Sequence, residues 1–132
     1  MVLYSGLVFA VLCLLHVGYS AKLKDGDVPE CEELGAEAIR MEQRDTLVVR
    51  LNEAMKNVEF TEYSCALEKS AMSDSESLTQ RARDSLDYGK LVQKAIKNWA
   101  PQLEKMTGSQ KFGCNLKTKK DKTVLACRIV PM

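Results

Sequence analysis

The distribution of apolar residues along the chain first predicts a separate segment at the amino terminus. Residues 1–20 contain no Lys, Arg, Asp or Glu, and 7–15 form an unbroken apolar run. Such a run is typical of a signal peptide, and small residues nearby permit cleavage between Ser20 and Ala21. It is shorter than the ~20 apolar residues of a membrane-spanning helix. We therefore predict a signal peptide over 1–20 and a single small secreted domain over 21–132, with no membrane span after cleavage.

Helical spacing of apolar residues predicts two longer helices. One lies between Ala36 and Val58, where there is no Pro or Gly, and the other follows Gly89. Each has a single apolar stripe, which is typical of a helix that packs one face on a core. Pro101 is predicted to end or kink the second helix, because it lacks the N–H that a helix interior needs. The stripes consist of Leu47, Val48, Leu51, Met55 and Val58 in the first helix and of Leu91, Val92, Ala95, Ile96 and Trp99, a core or rim residue, in the second.

The segment between those two helices is less regular. Residues 59–63 are predicted to be a short connector, and Ser64 is a suitable N-cap for a short helix over 65–72. The polar stretch 73–89 is predicted to be a loop or a loosely packed helix, since its apolar residues recur every four positions without a broad stripe. Those residues are Leu78, Ala82 and Leu86.

The stretch 111–130 alternates with period two and predicts a β-hairpin. If 119–122 form the loop, Cys114 faces Cys127, and both lie on a wholly apolar side of the ribbon. A slip by one residue would oppose Cys114 to Ala126, so the apolar pattern and a cross-strand disulfide select the same register. The opposite side is predicted to be mixed and more solvated. Further pairs on the apolar side are Phe112 with Ile129 and Leu116 with Leu125, while the solvated side carries Asn115, Lys117 and Arg128.

Four cysteines remain once the signal, which contains Cys13, is removed. An even number in a small secreted chain suggests two disulfides, for which three connectivities are possible. The hairpin register favours Cys114–Cys127, and elimination then leaves Cys31–Cys65. Closing a loop of the hairpin's size is expected to stabilise the fold by about 3 kcal/mol in the chain-entropy description.

The overall charge gives no general case for binding nucleic acid or membranes, because 19 Lys and Arg oppose 18 Asp and Glu. The charge is unevenly placed, however, with an acidic start and a basic end. The lysine turn consists of Lys117, Lys119, Lys120 and Lys122. It is predicted to be a solvated loop that discourages edge pairing, and it is also a candidate contact for an acidic partner such as a glycosaminoglycan.

Patterns for catalysis and metal binding are absent from the chain after residue 20. The only histidine, His16, lies in the signal, which excludes nucleophilic systems and zinc sites that need histidine. No closely spaced cysteine pair, phosphate-binding loop or dinucleotide-binding glycine pattern occurs. Clustered carboxylates are better explained by solvated helix faces than by a general acid and base. We predict no catalytic residue, no metal and no cofactor, and therefore a protein that is not an enzyme.

Two stretches, 60–72 and 97–130, resemble parts of the SCP/TAPS or CAP superfamily, especially the small secreted proteins of parasitic nematodes known as activation-associated or venom-allergen-like proteins. In that family a Y-x-C-x-L-E segment opens an early helix, a tryptophan closes a later one, and the terminal hairpin contains G-C and V-x-C. The family's cleft histidines have no counterpart after residue 20, so its metal site is not carried over. The matching residues are Tyr63, Cys65, Leu67, Glu68, Trp99, Gly113, Cys114, Val124 and Cys127. Val124 lies one position further from Cys127 than the family pattern has it.

Pattern and resemblance together predict an α+β fold, a truncated CAP-like sandwich. Three or four helices would pack on a small antiparallel sheet, which is the disulfide-stapled hairpin alone or with one added strand. The resemblance implies a secreted, non-enzymatic binding protein, an excretory–secretory effector that engages a host protein through 73–89 or the lysine turn. Two alternatives stay open: carriage of a sterol, a fatty acid or another small apolar ligand, as in relatives, and inhibition of a protease by an exposed loop.

Overall fold

A computed structural model describes residues 28–83 and 87–132, so the predicted signal peptide lies outside the described residues. This part of the chain confirms the predicted α+β class. Its elements are, in order, a 3-10 helix at Glu32–Glu37, α1 at Met41–Ala54, β1 at Val58–Tyr63, α2 at Cys65–Ser70, β2 at Leu78–Arg83, α3 at Tyr88–Lys105, β3 at Gly108–Lys119 and β4 at Lys122–Pro131.

The strands form one mixed sheet in the order β1-β3-β4-β2. The hairpin is β3 and β4, β2 pairs antiparallel with β4, and β1 pairs parallel with β3. The predicted sheet, an antiparallel hairpin with at most one added strand, is therefore too small, because two strands are added and one of them is parallel. A two-stranded ribbon is only marginally stable, and a strand on each of its edges satisfies the backbone groups that the hairpin leaves free.

The added strands come from segments for which the sequence predicted no strand. The connector 59–63 belongs to β1, and the stretch 73–89 contains β2, where the expectation of a loop or helix is wrong. A repeat of four residues is also two repeats of two, so Leu78 and Ala82 fit one face of a strand as well as a helix stripe. Pairing of β2 with β4 decides between the two.

The hairpin has the register that the sequence predicts, and a disulfide joins Cys114 to Cys127. The turn is tighter than predicted, because Lys119 pairs with Lys122 and only two residues separate the strands. The first of these, Lys120, has a φ of 54°, in the left-handed region that two-residue hairpin turns require. The other predicted pairs, Phe112 with Ile129 and Leu116 with Leu125, are also present.

One face of the sheet, the inner face, packs with α1 and α3 around the main core. Phe112 and Leu125 of the hairpin are completely buried in it, and most of the stripe residues of both helices are buried there as well. Trp99 is a core residue, only 4 % exposed, and its indole N–H donates to the carbonyl oxygen of Thr79 in β2 at 3.2 Å. The buried stripe residues are Leu47, Val48, Leu51, Leu91, Val92, Ala95 and Trp99, and Ile96 is half-buried. Met55 and Val58 of the predicted stripe are also buried, but they lie beyond the end of α1.

The second long helix, α3, was predicted to end or kink at Pro101, and it does not end there. It continues to Lys105 and places Leu103, which is completely buried, on the core side. Proline removes one hydrogen bond from a helix interior. Burial of a leucine side chain contributes about 1.5–3 kcal/mol, which offsets much of that loss.

The other face of the sheet, the outer face, is partly covered by α2. A Cβ added to Gly113 would lie 2.3 Å from the backbone nitrogen of Glu68 and 2.5 Å from the carbonyl oxygen of Ser64, so only glycine allows this approach. Ala126 on the same face is completely buried. The prediction that this side of the hairpin is solvated is therefore wrong under α2, while the residues near the turn, from Lys117 onward on β3, are exposed.

The first long helix begins at Met41 instead of near Ala36 and ends at Ala54, earlier than predicted. The preceding residues form the 3-10 helix and an extended link. A second disulfide, Cys31–Cys65, ties this segment to α2, and it is the pairing that elimination leaves. Ala38 and Arg40 have extended backbone angles, so α1 begins only at Met41.

Candidate functional site

The uncovered half of the outer face gathers basic residues of β2, β3 and β4 into two rows. Residues that pair across neighbouring strands carry their side chains on the same face, with strands ~4.8 Å apart and alternate residues of one strand ~6.8 Å apart. The sheet therefore displays its cations on a close grid. One row contains Lys117, Val124 and Arg81, and the next contains Lys119, Lys122 and Arg83.

A groove runs beside this grid, between the hairpin and the end of α2. Two adjoining open cavities of about 410 and 480 Å³ form it and share Met72 and Lys117. All four lysines of the lysine turn line the larger cavity, and Lys69 lines the smaller. We call these cations the basic face: Lys69, Arg81, Arg83, Lys117, Lys119, Lys120 and Lys122.

Among residues 28–83 and 87–132, no carboxylate forms an ion pair with any cation of the basic face. Arg128 of β4 provides the contrast, because its guanidinium binds Asp74 at 2.9 Å and Glu76 at 2.8 Å. The charge of Arg128 is thus neutralised within the fold. The side chains of the basic face are exposed. Two carboxylates, Asp121 in the larger cavity and Glu37 in the smaller, line the groove, but within the described ranges neither forms an ion pair with these cations, which leaves the cations available to an anion.

The basic face contains a like-charge arrangement that opposes folding. Lys122 lies directly across from Lys119 on one side and from Arg83 on the other. Like charges placed directly opposite each other in a sheet are destabilising. An anion bound beside these cations would relieve the repulsion.

A buried charge network holds α2, and with it one wall of the groove, against the rest of the fold. Arg44 of α1 is 1 % exposed and Glu68 of α2 is completely buried. Their side chains are joined twice, Nε to Oε1 at 2.8 Å and Nη2 to Oε2 at 3.1 Å. The guanidinium also donates to the carbonyl oxygens of Pro29 and Ile39, and the Ile39 N–H donates to Glu68 at 3.2 Å. A buried ion pair is tolerated only when its hydrogen bonds are satisfied in this way.

Tyr63 joins the network at the point where β1 ends. Its hydroxyl donates to the Glu68 carboxylate and accepts from the Cys114 N–H at 3.3 Å. Cys114 lies on β3 just past the last residue that pairs with β1, so the hydroxyl takes the place of a strand partner for this N–H. Its ring meets Phe112 edge-on, with centroids 5.4 Å apart. Burial, reinforced by the Glu68 carboxylate, raises the pKa of Tyr63. Burial lowers the pKa of Arg44, but the hydrogen bond and charge of Glu68 outweigh it and the net shift is upward.

The loop between α2 and β2 is also tied down. The Asp74 carboxylate accepts from the Glu76 N–H at 2.9 Å and from Arg128, and these two interactions lower the pKa of Asp74. The Asn115 side chain donates to the Glu68 carbonyl oxygen at 3.0 Å and links α2 to β3. The end of α2 and the loop that follows it are therefore both bonded to the sheet.

The structure brings the lysines of the lysine turn together and adds three cations that the sequence analysis did not single out. A signal for Arg81 and Arg83 was present, since residues two apart share one face of a strand. Lys69 reaches the groove only because α2 packs on Gly113. Glu68 is named in the sequence only through the family motif, and that match gives no sign that its carboxylate is completely buried.

Across 28–83 and 87–132, no three His, Cys, Asp or Glu side chains lie close enough to hold a metal ion. None of the helices within those ranges is both long and apolar enough to cross a bilayer.

Comparison with known proteins identifies the family. A search of curated proteins and a search of solved structures each gave no match. A family model described as Ancylostoma-associated secreted protein related matches residues 31–129, a range that contains both disulfides, the Arg44–Glu68 ion pair and the basic face. This match confirms the resemblance to the SCP/TAPS secreted proteins. The chain belongs to the Ancylostoma-associated secreted protein related family.

Proposed function

We propose that this protein is a secreted, non-enzymatic binding protein that holds an anionic extracellular partner against its basic face. The observation that carries the proposal is the grid of cations beside the groove, which have no carboxylate partner in the described part of the chain. Membership of a family of secreted proteins and two disulfides support an extracellular location. In the setting that the family resemblance implies, the partner belongs to a host.

Rigidity of the scaffold supports this role. Most of the cations stand on strands of a four-stranded sheet, and a disulfide crosses the hairpin that carries the lysine turn. The groove wall at Lys69 is fixed through the burial of Glu68 and the close approach of Gly113. A preformed site binds more tightly than a mobile one, because less side-chain and loop freedom is lost on association.

The two alternatives have less support. Carriage of a sterol or fatty acid needs apolar surface free to enclose the ligand, but the stripes of α1 and α3 are packed in the core. The groove on the outer face is open to solvent and is rimmed by lysines and by two carboxylates, Glu37 and Asp121, so it does not enclose an apolar ligand. Inhibition of a protease needs an exposed loop, and the predicted loop 73–89 is shortened by β2 and held by Arg128.

Capture at cell surfaces tests the proposal. Labelled protein lacking residues 1–20 is incubated with cultured animal cells and compared with a variant in which Gln replaces the four lysines of the lysine turn. We expect the variant to lose at least about tenfold in capture, because the lost contacts are electrostatic. A matched control replaces four exposed lysines of α3 and removes the same charge. These lysines are Lys90, Lys94, Lys97 and Lys105. Equal capture of both variants would contradict the proposal.

A further inference from the structure

We infer that the anionic partner of the basic face is a sulfated glycan chain. The inference rests on the proposed function and names the partner's chemistry. Four classes of anion could meet a basic surface: an acidic protein, a nucleic acid, an anionic lipid surface and a sulfated polysaccharide. The side chains around the groove favour the last of these.

The groove lacks the residues that anchor protein–protein interfaces. None of the residues that line its two cavities is Trp, Tyr or Phe. More of the lining is apolar than polar, but this apolar surface comes from aliphatic side chains such as Met72 and Val124 and from the hydrocarbon stems of the lysines. The centres of protein interfaces are enriched in aromatic residues and depleted of lysine. A surface on which lysine predominates therefore suits a hydrated partner that is bound mainly through its charges.

The same composition disfavours single-stranded nucleic acid. Proteins that bind single strands without sequence preference combine a basic groove with aromatic side chains on which the bases stack. The groove-lining residues supply the charge without the aromatic platform. An extended polyanion with no aromatic rings matches what the groove offers.

The cations are arranged for a linear series of charges. They extend from Lys120 at the turn, past Lys119 and Lys117, to Lys69 beside the far end of the groove. Alternate residues of β3 are ~6.8 Å apart, and a glycan that carries sulfate or carboxylate groups on successive sugars can meet them in turn. Arg81 and Arg83 flank the series in the same rows of the sheet. Their planar guanidinium groups can bind an oxyanion through two hydrogen bonds.

Calorimetric titration with a heparin-derived hexasaccharide tests the inference. The proteins compared are the chain lacking residues 1–20, the lysine-turn variant and the α3 control variant, each first shown to unfold as the parent does. We expect the lysine-turn variant to bind at least about tenfold more weakly, and the slope of log affinity against log salt to be smaller by about 3, at ~0.7 per lost contact for a single-chain polyanion. The α3 control should retain the parent's affinity and slope.

Four further probes separate the alternatives: fully desulfated heparin, polyglutamate, oligothymidylate and phosphatidylserine vesicles. The inference expects each to bind more weakly than the sulfated hexasaccharide. It is overturned if the desulfated chain or any other probe binds as tightly. If polyglutamate binds through the lysine turn and the glycan does not, the glycan inference fails while the proposed function stands. If no probe distinguishes the variants and cell capture is also unchanged, both fail.

Discussion

Replacing Glu68 with Gln should destabilise this protein far more than replacing an exposed carboxylate. The Glu68 carboxylate is completely buried and accepts hydrogen bonds from Arg44, from the Ile39 N–H and from the Tyr63 hydroxyl. Glutamine preserves the shape but leaves the Arg44 guanidinium buried without a counter-charge. Breaking a buried ion pair by removing one partner costs about 3–5 kcal/mol. That is a large part of the ~5–15 kcal/mol by which a typical domain is stable.

Urea unfolding measures this loss, with the fluorescence of Trp99, the only tryptophan of the chain, as the signal. In thermal unfolding, a loss of about 3 kcal/mol corresponds to a fall in Tm of roughly 12 °C, at ~4 °C per kcal/mol for a domain of this size. Glu104→Gln is the matched control, since Glu104 forms an exposed pair with Lys56 at 3.9 Å. That control should change the free energy of unfolding by less than about 1 kcal/mol.

A double substitution separates the charge effect from a loss of packing. Arg44→Met combined with Glu68→Gln removes the unpaired buried charge, so the double variant should be more stable than Glu68→Gln alone. A Glu68→Gln variant as stable as Glu104→Gln would refute a stabilising role for the buried ion pair. So would a double variant whose loss of stability equals the sum of the losses in the two single variants.

Three further predictions follow from the packing, the titration and the charge of the molecule. Gly113→Ala should lower the free energy of unfolding by about 2 kcal/mol, because the new Cβ would lie 2.3 Å from the backbone of α2. The control Gly89→Ala should raise it by about 0.5 kcal/mol. Equal urea midpoints for the two variants would argue against the close packing of α2 on β3. In the chain lacking residues 1–20 the only tyrosines are Tyr63 and Tyr88, and burial raises the pKa of both above 10.0. The stability that these two buried hydroxyls contribute is therefore complete below pH ~10 and is lost as the pH rises further. Tyrosinate absorbance should accordingly appear only as the protein unfolds. A tyrosine that ionises near pH ~10 in the folded protein would contradict this prediction. Lys119→Glu should raise the free energy of unfolding by about 0.5 kcal/mol, because it replaces the repulsion between Lys119 and Lys122 with an attraction. The same variant should bind the sulfated hexasaccharide more weakly. A loss of stability would show that the two lysines do not repel each other in the folded protein.

The hairpin could be predicted from the sequence because several independent requirements select one register. Apolar alternation, two cysteines and two apolar pairs all agree on it, and a slip by one residue breaks them together. The buried stripes of α1 and α3 could likewise be predicted from the helical spacing of their apolar residues. These features depend on residues that are close in sequence.

The added strands and the buried network could not be predicted in the same way. Strand preference depends strongly on the neighbouring strand, and the partners of β1 and β2 lie far away along the chain. Arg and Glu are almost never fully buried unless paired, so nothing in the local sequence marks Arg44 and Glu68 as partners. Their contact joins residues 24 positions apart and becomes visible only once α2 lies on the sheet.

The candidate site shows the same division. The lysine turn was evident because four lysines are close in sequence. Arg81 and Arg83 were missed because β2 was not recognised as a strand, and the groove was missed because it requires α2 to pack beside the hairpin. The local part of the site was thus predictable, and the part assembled by tertiary packing was not.

The most direct test of the basic face as a binding site is an amide chemical-shift titration of the isotope-labelled protein with the sulfated hexasaccharide. We predict that the shifts concentrate at 69–72, 81–83 and 117–124 and saturate together, while signals of α1 and of the exposed side of α3 stay unchanged. Shifts centred on the lysines of α3, or no shifts at all at concentrations that saturate the calorimetric titration, would contradict the account.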